Sequence, residues 1–243
     1  MELDKIYLGS CYELIKDIPD KSVDLIYTDI PYITEYHKNN MAFNGMRFGN
    51  TPKQINVDTL CNGIDYSVLE DFARVMKKIN MYIWCSENQI YDILDKLKKI
   101  SPKIQYKILI WRKTNAACVN HNQFVPSLEY CLLITEGQGI KSDKPVYKYY
   151  ESPMNSNDKK LYLHPTIKPL ELVISHIKVS TNDNAVVLDP FIGSGTTAVA
   201  AKLLNLHYIG FEIDSKFYQI ATDRINGIIA KDKMAGIEQL KLF

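Results

Sequence analysis

The chain reads as an α/β protein, doubly wound, with a mostly parallel sheet and helices on both faces. Three observations predict this. Short β-branched runs alternate with stretches of helical spacing along most of the 243 residues. Two of those runs, 23–28 and 186–188, close on an aspartate and a proline-bearing turn, at the edge where open α/β sheets bind ligands. The second turn is rich in glycine and opens a helix, reading A-V-V-L-D-P-F-I-G-S-G-T-T-A-V-A-A over 185–201.

The elements follow in order. Residues 5–8 form a short strand, and 11–18 a helix that ends at the Pro19-Asp20 turn. V-D-L-I-Y-T over 23–28 is a second strand, closing on Asp29-Ile30-Pro31-Tyr32. The stretch 33–63 is polar, rich in Asn and Gly, and weakly patterned, and is expected to be a long mobile loop. Within 66–78, Val68, Leu69, Phe72, Val75 and Met76 recur at helical spacing. A strand at 81–85, a helix at 87–99 and a strand at 104–112 follow, and 127–135 is a strand expected to lie antiparallel beside 104–112. Residues 137–163 are expected to be irregular, with lysines and tyrosines throughout. An amphipathic helix at 170–179 leads into the glycine-turn strand, and 207–211 and 215–229 supply a last strand and a last helix.

Composition bounds the reading without naming a partner. With 46% hydrophobic and 23% charged residues, 243 residues suit one α/β domain spanning 1–243, with modest insertions at about 33–63 and 137–163. A net charge of +1 neither requires nor excludes nucleic acid, because a local basic face is what matters. The five cysteines, Cys11, Cys61, Cys85, Cys118 and Cys131, are scattered and never in C-x-x-C spacing, which argues against a disulfide framework or a zinc site. The amino terminus lacks a signal-peptide layout and no apolar stretch is long enough to span a membrane, so a cytoplasmic protein is expected.

The chemistry concentrates in the two turns. Gly193 and Gly195 permit backbone angles and close approaches that a side chain forbids, and the helix opening at Thr196 and Thr197 presents unpaired N–H groups. Glu212 ends the next strand, where an acid accepts both hydroxyls of a ribose. Gly193-x-Gly195-x-x-Ala198 with that acid about 20 residues on also fits the dinucleotide fingerprint. The run by itself therefore admits a nicotinamide cofactor as well as other adenosine-bearing ones. The turn Asp29-Ile30-Pro31-Tyr32 offers a carboxylate and a backbone carbonyl for the two protons of an exocyclic amine, and an aromatic ring to stack on its base.

Together the turns resemble a known family. T-D-I-P-Y is similar to the D-P-P-Y motif of amino-directed DNA methyltransferases, and L-D-P-F-I-G-S-G-T-T with G-F-E-I-D resembles their S-adenosylmethionine site. H-P-T-I-K-P over 164–169 resembles the segment that precedes the cofactor strand in that family. I-L-I-W-R-K-T-N and S-L-E-Y-C-L-L-I-T resemble its later strands. The order, catalytic turn first and cofactor turn last, is that of the family's beta group. The resemblance implies a circularly permuted Rossmann-like fold with a seven-stranded sheet. It departs from the family at Ile30, where a proline is usual, and at Leu8-Gly9-Ser10, where Gly-Asp is common.

What the resemblance implies is methyl transfer to N6 of an adenine flipped out of double-stranded DNA, with N4 of cytosine as the alternative base. Asp29, Ile30, Pro31 and Tyr32 are the implied catalytic turn. Asp189, Pro190, Phe191, Gly193, Ser194, Gly195, Thr196, Thr197 and Ser10 are the implied cofactor contacts. Glu212 takes the ribose, Phe191 and Ile213 flank the adenine, and Thr166 and Lys168 meet the methionine carboxylate. No metal is called for. Arg47, Lys53, Arg112, Lys113, Lys141 and Lys144 are candidates for DNA phosphates. A homodimer and a cognate restriction endonuclease are further expected partners, and no membrane is. A nicotinamide dehydrogenase, and a non-catalytic DNA-binding or cofactor-sensing protein motivated by Ile30, stand as the other readings.

Overall fold

The computed structural model describes residues 1–33, 42–43, 46–47, 63–116, 124–137, 139–154 and 167–227. In chain order these form β1 (Lys5–Leu8), α1 (Cys11–Leu14), β2 (Leu25–Asp29), β3 (Ala42–Phe43), β4 (Met46–Arg47), α2 (Val68–Val75), β5 (Asn80–Cys85), α3 (Ile90–Ile100), β6 (Ile104–Lys113), β7 (Leu128–Glu136), β8 (Tyr149–Ser152), α4 (Leu170–Ser180), β9 (Val186–Asp189), α5 (Thr196–Leu203), β10 (His207–Glu212) and α6 (Ser215–Ile225). Eight strands make one sheet in the order β1-β10-β9-β2-β5-β7-β6-β8. Only β7 opposes the common direction, pairing antiparallel with β5 and β6.

The central strands are buried on both faces, as parallel strands under two helical layers must be. Ile26 and Ile83 face one core with Ile15, Phe72, Val75 and Leu97. Leu25, Tyr27, Tyr82 and Trp84 face the other, with Leu172, Val173, Ala198 and Ala201. Alternation along each strand thus feeds the two layers in turn. From β9 the chain winds through α5 to β10, towards the β1 edge, whereas β2 leads on to β5 and the opposite edge. β9 and β2 are neighbours, with Leu25 opposite Val187 and Ile26 opposite Leu188. Their carboxyl ends therefore meet at the topological switch point, the ligand crevice of such sheets.

The structure corrects four expectations. The sheet has eight strands rather than seven, because β8 lies within the stretch read as irregular. β8 runs parallel to β6 at the sheet edge and is half-exposed throughout, so it carries no apolar alternation; main-chain bonds hold it, including Ile110 N–H to the Lys148 carbonyl at 2.9 Å. Within 33–63, β3 and β4 pair antiparallel, so that stretch is not wholly irregular, although most of it lies outside the described residues. The 66–78 helix ends at Val75, because Met76 turns extended and bridges Val23, which in turn lies outside β2. The first helix is one turn of α followed by a 3-10 turn, Ile15–Asp17.

The glycine turn between β9 and α5 depends on its backbone. Gly195 sits at φ 83° in the left-handed region, and a Cβ there would lie 3.1 Å from the Ala221 Cβ and 3.2 Å from its Cα. Gly195→Ala should therefore destabilise the protein by about 1–3 kcal/mol, combining left-handed strain with a backbone contact that cannot relax. Urea unfolding followed by circular dichroism measures the change.

Candidate active site

Each acidic turn is tied down by hydrogen bonds before any ligand is considered. Asp189, at the end of β9, accepts the Thr28 hydroxyl at 2.8 Å and the Phe191 N–H at 3.1 Å, which latches β9 to β2. Burial pushes its carboxyl up to about 6. Glu212, at the end of β10, accepts the Gly193 N–H at 2.8 Å on one oxygen and the Asp214 N–H at 2.9 Å on the other. Burial pushes it up to about 7, and each oxygen keeps acceptor capacity for a further donor. Behind the turn, the buried Arg224 donates to the Ser194 carbonyl at 3.2 Å and to the Thr196 hydroxyl at 2.9 Å.

These groups face one cavity of about 420 Å³. Ser10, Asp189, Pro190, Phe191, Gly193, Ser194, Thr196, Thr197, Glu212 and Ile213 line one part of it, and Asp29, Ile30, Pro31, Tyr32 and Lys168 also line it. Gly195 is not among the lining residues; it packs against Ala221 and sets the start of α5. Ile213 is exposed while Phe211 is fully buried. Thr166 lies outside the described residues.

Hydrogen bonds to its main chain and burial of Ile30 hold the turn after β2. The Ile30 N–H bonds the Trp84 carbonyl at 3.2 Å, and Gln89 donates to the Pro31 carbonyl at 2.9 Å. Ile30 is 2% exposed, so core packing restricts the backbone that sequence alone leaves freer. Beneath the cavity, the Trp84 indole N–H donates to the Tyr27 hydroxyl at 3.0 Å, which meets His176 Nδ1 at 3.2 Å. Burial pushes His176 down to about 4, keeping the imidazole neutral.

The sequence reading missed the most unusual feature, a buried row of alternating charge. Lys168 Nζ binds Asp29 Oδ2 and lies 3.0 Å from Glu129 Oε2; Glu129 Oε1 in turn lies 2.6 Å from Lys113 Nζ. The lysine sits between two aromatic faces, 5.2 Å from the Trp84 ring centre and 5.6 Å from that of Tyr32. Burial opposes ionisation of Glu129, yet Lys168 and Lys113 outweigh it and hold the carboxyl at about 2. Burial likewise works against the Lys168 charge, but Asp29 and Glu129 keep its ammonium above the ordinary lysine range. Burial raises the Asp29 carboxyl, with Lys168 opposing. Asp29 Oδ1 has almost no accessible surface, and the Tyr32 hydroxyl lies close enough to help hold the carboxylate.

The Lys168 ammonium lines the cavity while engaged by two carboxylates. Lys113 is buried against Glu129 and does not present a charge to DNA. Arg112 is half-exposed in a surface pair with Glu151, Lys141 donates to Asn182 at 2.7 Å, and Lys144 is exposed. The side chains of Arg47 and Lys53 lie outside the described residues. A signal for the missed row did exist in the strands. Leu109, Trp111 and Lys113 share one face of β6, and Glu129, Cys131 and Leu133 share one face of β7, so each apolar alternation ends on a charge of opposite sign.

A doubly wound sheet with two acidic turns side by side at its switch point, one of them glycine-bearing, fits an enzyme that binds an adenosine-type cofactor. The comparisons narrow that class: the family model of DNA methylases, the N6/N4 type, matches residues 23–223, and the chain belongs to that family. A Type II methyltransferase of Moraxella bovis, M2.MboI, is 29% identical over 92% of this chain and 88% of its own length. The Type II methyltransferase M.HinfI of Haemophilus influenzae is 29% identical over 99% of this chain and 72% of its own. Among solved structures, the M1.HpyAVI–SAM complex superposes with a TM-score of 0.66 at 27% identity, covering 90% of this chain and 98% of that one. The cytosine-N4-specific PvuII DNA methyltransferase shares the fold, with a TM-score of 0.66 at 17% identity over 90% of this chain and 85% of its own. Family membership sets the dehydrogenase reading aside. Among the described residues, no helix is long and apolar enough to cross a membrane.

The charge row has a direct consequence for stability. Lys113→Met leaves Glu129 buried with one partner instead of two, and should cost about 3 kcal/mol in urea unfolding. Removing the exposed partner of Arg112 with Glu151→Gln should change stability by under about 0.5 kcal/mol.

Proposed function

We propose that this chain transfers a methyl group from S-adenosylmethionine to N6 of an adenine flipped out of double-stranded DNA. The observation that carries this reading is the Asp29 side chain, which lines the cavity and keeps 26% exposure while Lys168 holds its Oδ2. It suits one N–H of an exocyclic amine, and the Ile30 carbonyl suits the other. Tyr32 lines the same cavity and offers a face for the extruded base. An acid at the head of the turn favours adenine by resemblance. Cytosine N4 presents the same two amine protons, and the family includes both bases.

The cofactor end suits S-adenosylmethionine. Glu212 retains acceptor capacity for two ribose hydroxyls, and Phe191, Phe211 and Phe217 supply apolar wall for an adenine ring. When bound, the cofactor supplies an electrophilic sulfonium methyl. The protein's own part is orientation and charge. Asp29 and Ile30 draw the amine nitrogen towards a tetrahedral, nucleophilic geometry; Asp29 balances the positive charge that grows there and accepts the departing proton's hydrogen bond. Ser10 lines the cavity in place of the family's usual acid. The order of the turns, Asp29 before Asp189, supports the circularly permuted beta-group arrangement. The Type II relatives support a place in a restriction-modification system, with a nuclease of matching specificity as a proposed partner. Arg112, Lys141 and Lys144 remain the exposed candidates for phosphate contact.

The purified chain should move labelled methyl from the cofactor to DNA, and Asp29→Asn should lower turnover at least about 100-fold. Cofactor affinity by calorimetry should stay within about threefold, since Asp29 serves the base. Wild-type protein that binds cofactor and DNA yet labels no DNA would sink the reading. Single-molecule sequencing of DNA from expressing cells decides between adenine and cytosine.

A pH dependence follows from Glu212. Ribose hydroxyls donate to the ionised carboxylate, whose value before they arrive is about 7. Binding therefore expels a proton below that pH, and cofactor affinity should fall as pH drops from about 8 to about 6, approaching tenfold per unit. Glu212→Gln should bind weakly and show little of this slope.

A further inference from the structure

The Asp29 carboxylate is held asymmetrically. Lys168 takes Oδ2, and Oδ1 is turned into the protein with almost no accessible surface. Lys168 does not stand alone, because it emerges from the segment before α4 with no rigid element of its own and is placed by Glu129, 3.0 Å away on β7. Glu129 is in turn held by Lys113, 2.6 Å away on the neighbouring strand β6. Lys113 and Glu129 have side chains only 2% and 9% exposed, on paired strands where sheet packing fixes both.

The geometry points to Glu129, braced by Lys113, as a positioning residue for the reaction: it fixes Lys168 against Oδ2 of Asp29 and so holds that carboxylate in one orientation at the cavity wall. This rests on the reading of Asp29 as the amine acceptor. An Asp29 free to rotate would present no defined acceptor along the line of methyl transfer. Small misplacements of this kind are costly in group transfer, on the order of 100-fold per ångström. Glu129 itself is not among the groups lining the cavity, so it acts through Lys168 and not on the substrate.

The charged groups facing Asp29 are Lys168, Glu129 and Asp189. Tyr27, Tyr32, Cys85 and Cys131 also face it but are kept protonated by burial. None of the variants alters Asp189 or its hydrogen-bond partners, so differences between pH profiles originate in the charge row. Activity requires ionised Asp29 and is lost as pH falls through its value. Lys168→Met removes the nearby cation and leaves the Glu129 anion, so the acid limb of kcat should move to higher pH. Glu129→Gln removes an anion from beside both groups, so the acid limb should move to lower pH and the alkaline limb, where Lys168 deprotonates, should also move down.

The test compares wild type, Glu129→Gln, Lys168→Met and the double variant Lys113→Met with Glu129→Leu. The double variant replaces the outer ion pair with apolar groups, which buried pairs usually tolerate, and so covers the case in which Glu129→Gln fails to fold. Steady-state methylation of DNA should show kcat lowered about 10- to 100-fold in Glu129→Gln and in the double variant. The KM for S-adenosylmethionine should stay within about twofold, and the limbs should shift with the opposite signs given. A folded Glu129→Gln or double variant with wild-type kcat overturns the proposal, as does a uniform loss with unshifted pH limbs. Failure of the Asp29 reading is distinguished by Asp29→Asn, which would then keep wild-type turnover.

Discussion

The site depends on one main-chain contact, the parallel pairing of β2 with β9. Two turns that lie 161 residues apart in the chain, measured from Thr28 to Asp189, are brought side by side by it and locked by a hydroxyl-to-carboxylate bond of 2.8 Å. Because ladder hydrogen bonds leave almost no freedom along the strand axis, the carboxyl ends are fixed relative to one another, with β2 running two residues past the end of β9. The Asp29 carboxylate and the glycine-bearing turn then share one cavity.

The buried charge row shows how this site is supported and why its worth is not stability. Two carboxylates and two ammonium groups alternate, so the cluster carries no net charge, and each inner group is flanked by opposite charges. Desolvating four charges costs several kcal/mol per ion, and their mutual attraction does little more than offset it. Well-packed apolar side chains would hold the same space as well or better. What apolar groups cannot do is bind a carboxylate oxygen, as Lys168 binds Oδ2 of Asp29.

Ile30 illustrates the limits of motif reading. A motif records a proline because the ring restricts φ, and an isoleucine in its place looks like lost rigidity. In the fold the same restriction comes from a different source: the Ile30 side chain is buried in the core and its N–H is bonded to Trp84. β8 is the converse case. Its residues carry no apolar alternation because the strand lies at an exposed edge, and main-chain bonds to β6 hold it without a side-chain pattern to announce it.

The sequence by itself determined the sheet-and-helix order, because buried parallel strands and amphipathic helices leave their periods in the chain. It also determined the two acidic turns, because glycine, proline and aspartate at a strand end record local backbone needs. The family followed from those motifs and their order. Only the tertiary structure decided what Lys168, Glu129 and Lys113 do, since each sits alone in sequence and acquires a partner only through strand pairing. A lone lysine reads as solvated or as a phosphate contact until a carboxylate is found 2.6 Å away inside the fold. Burial and partner choice arise from contacts between distant segments, and no local pattern encodes them.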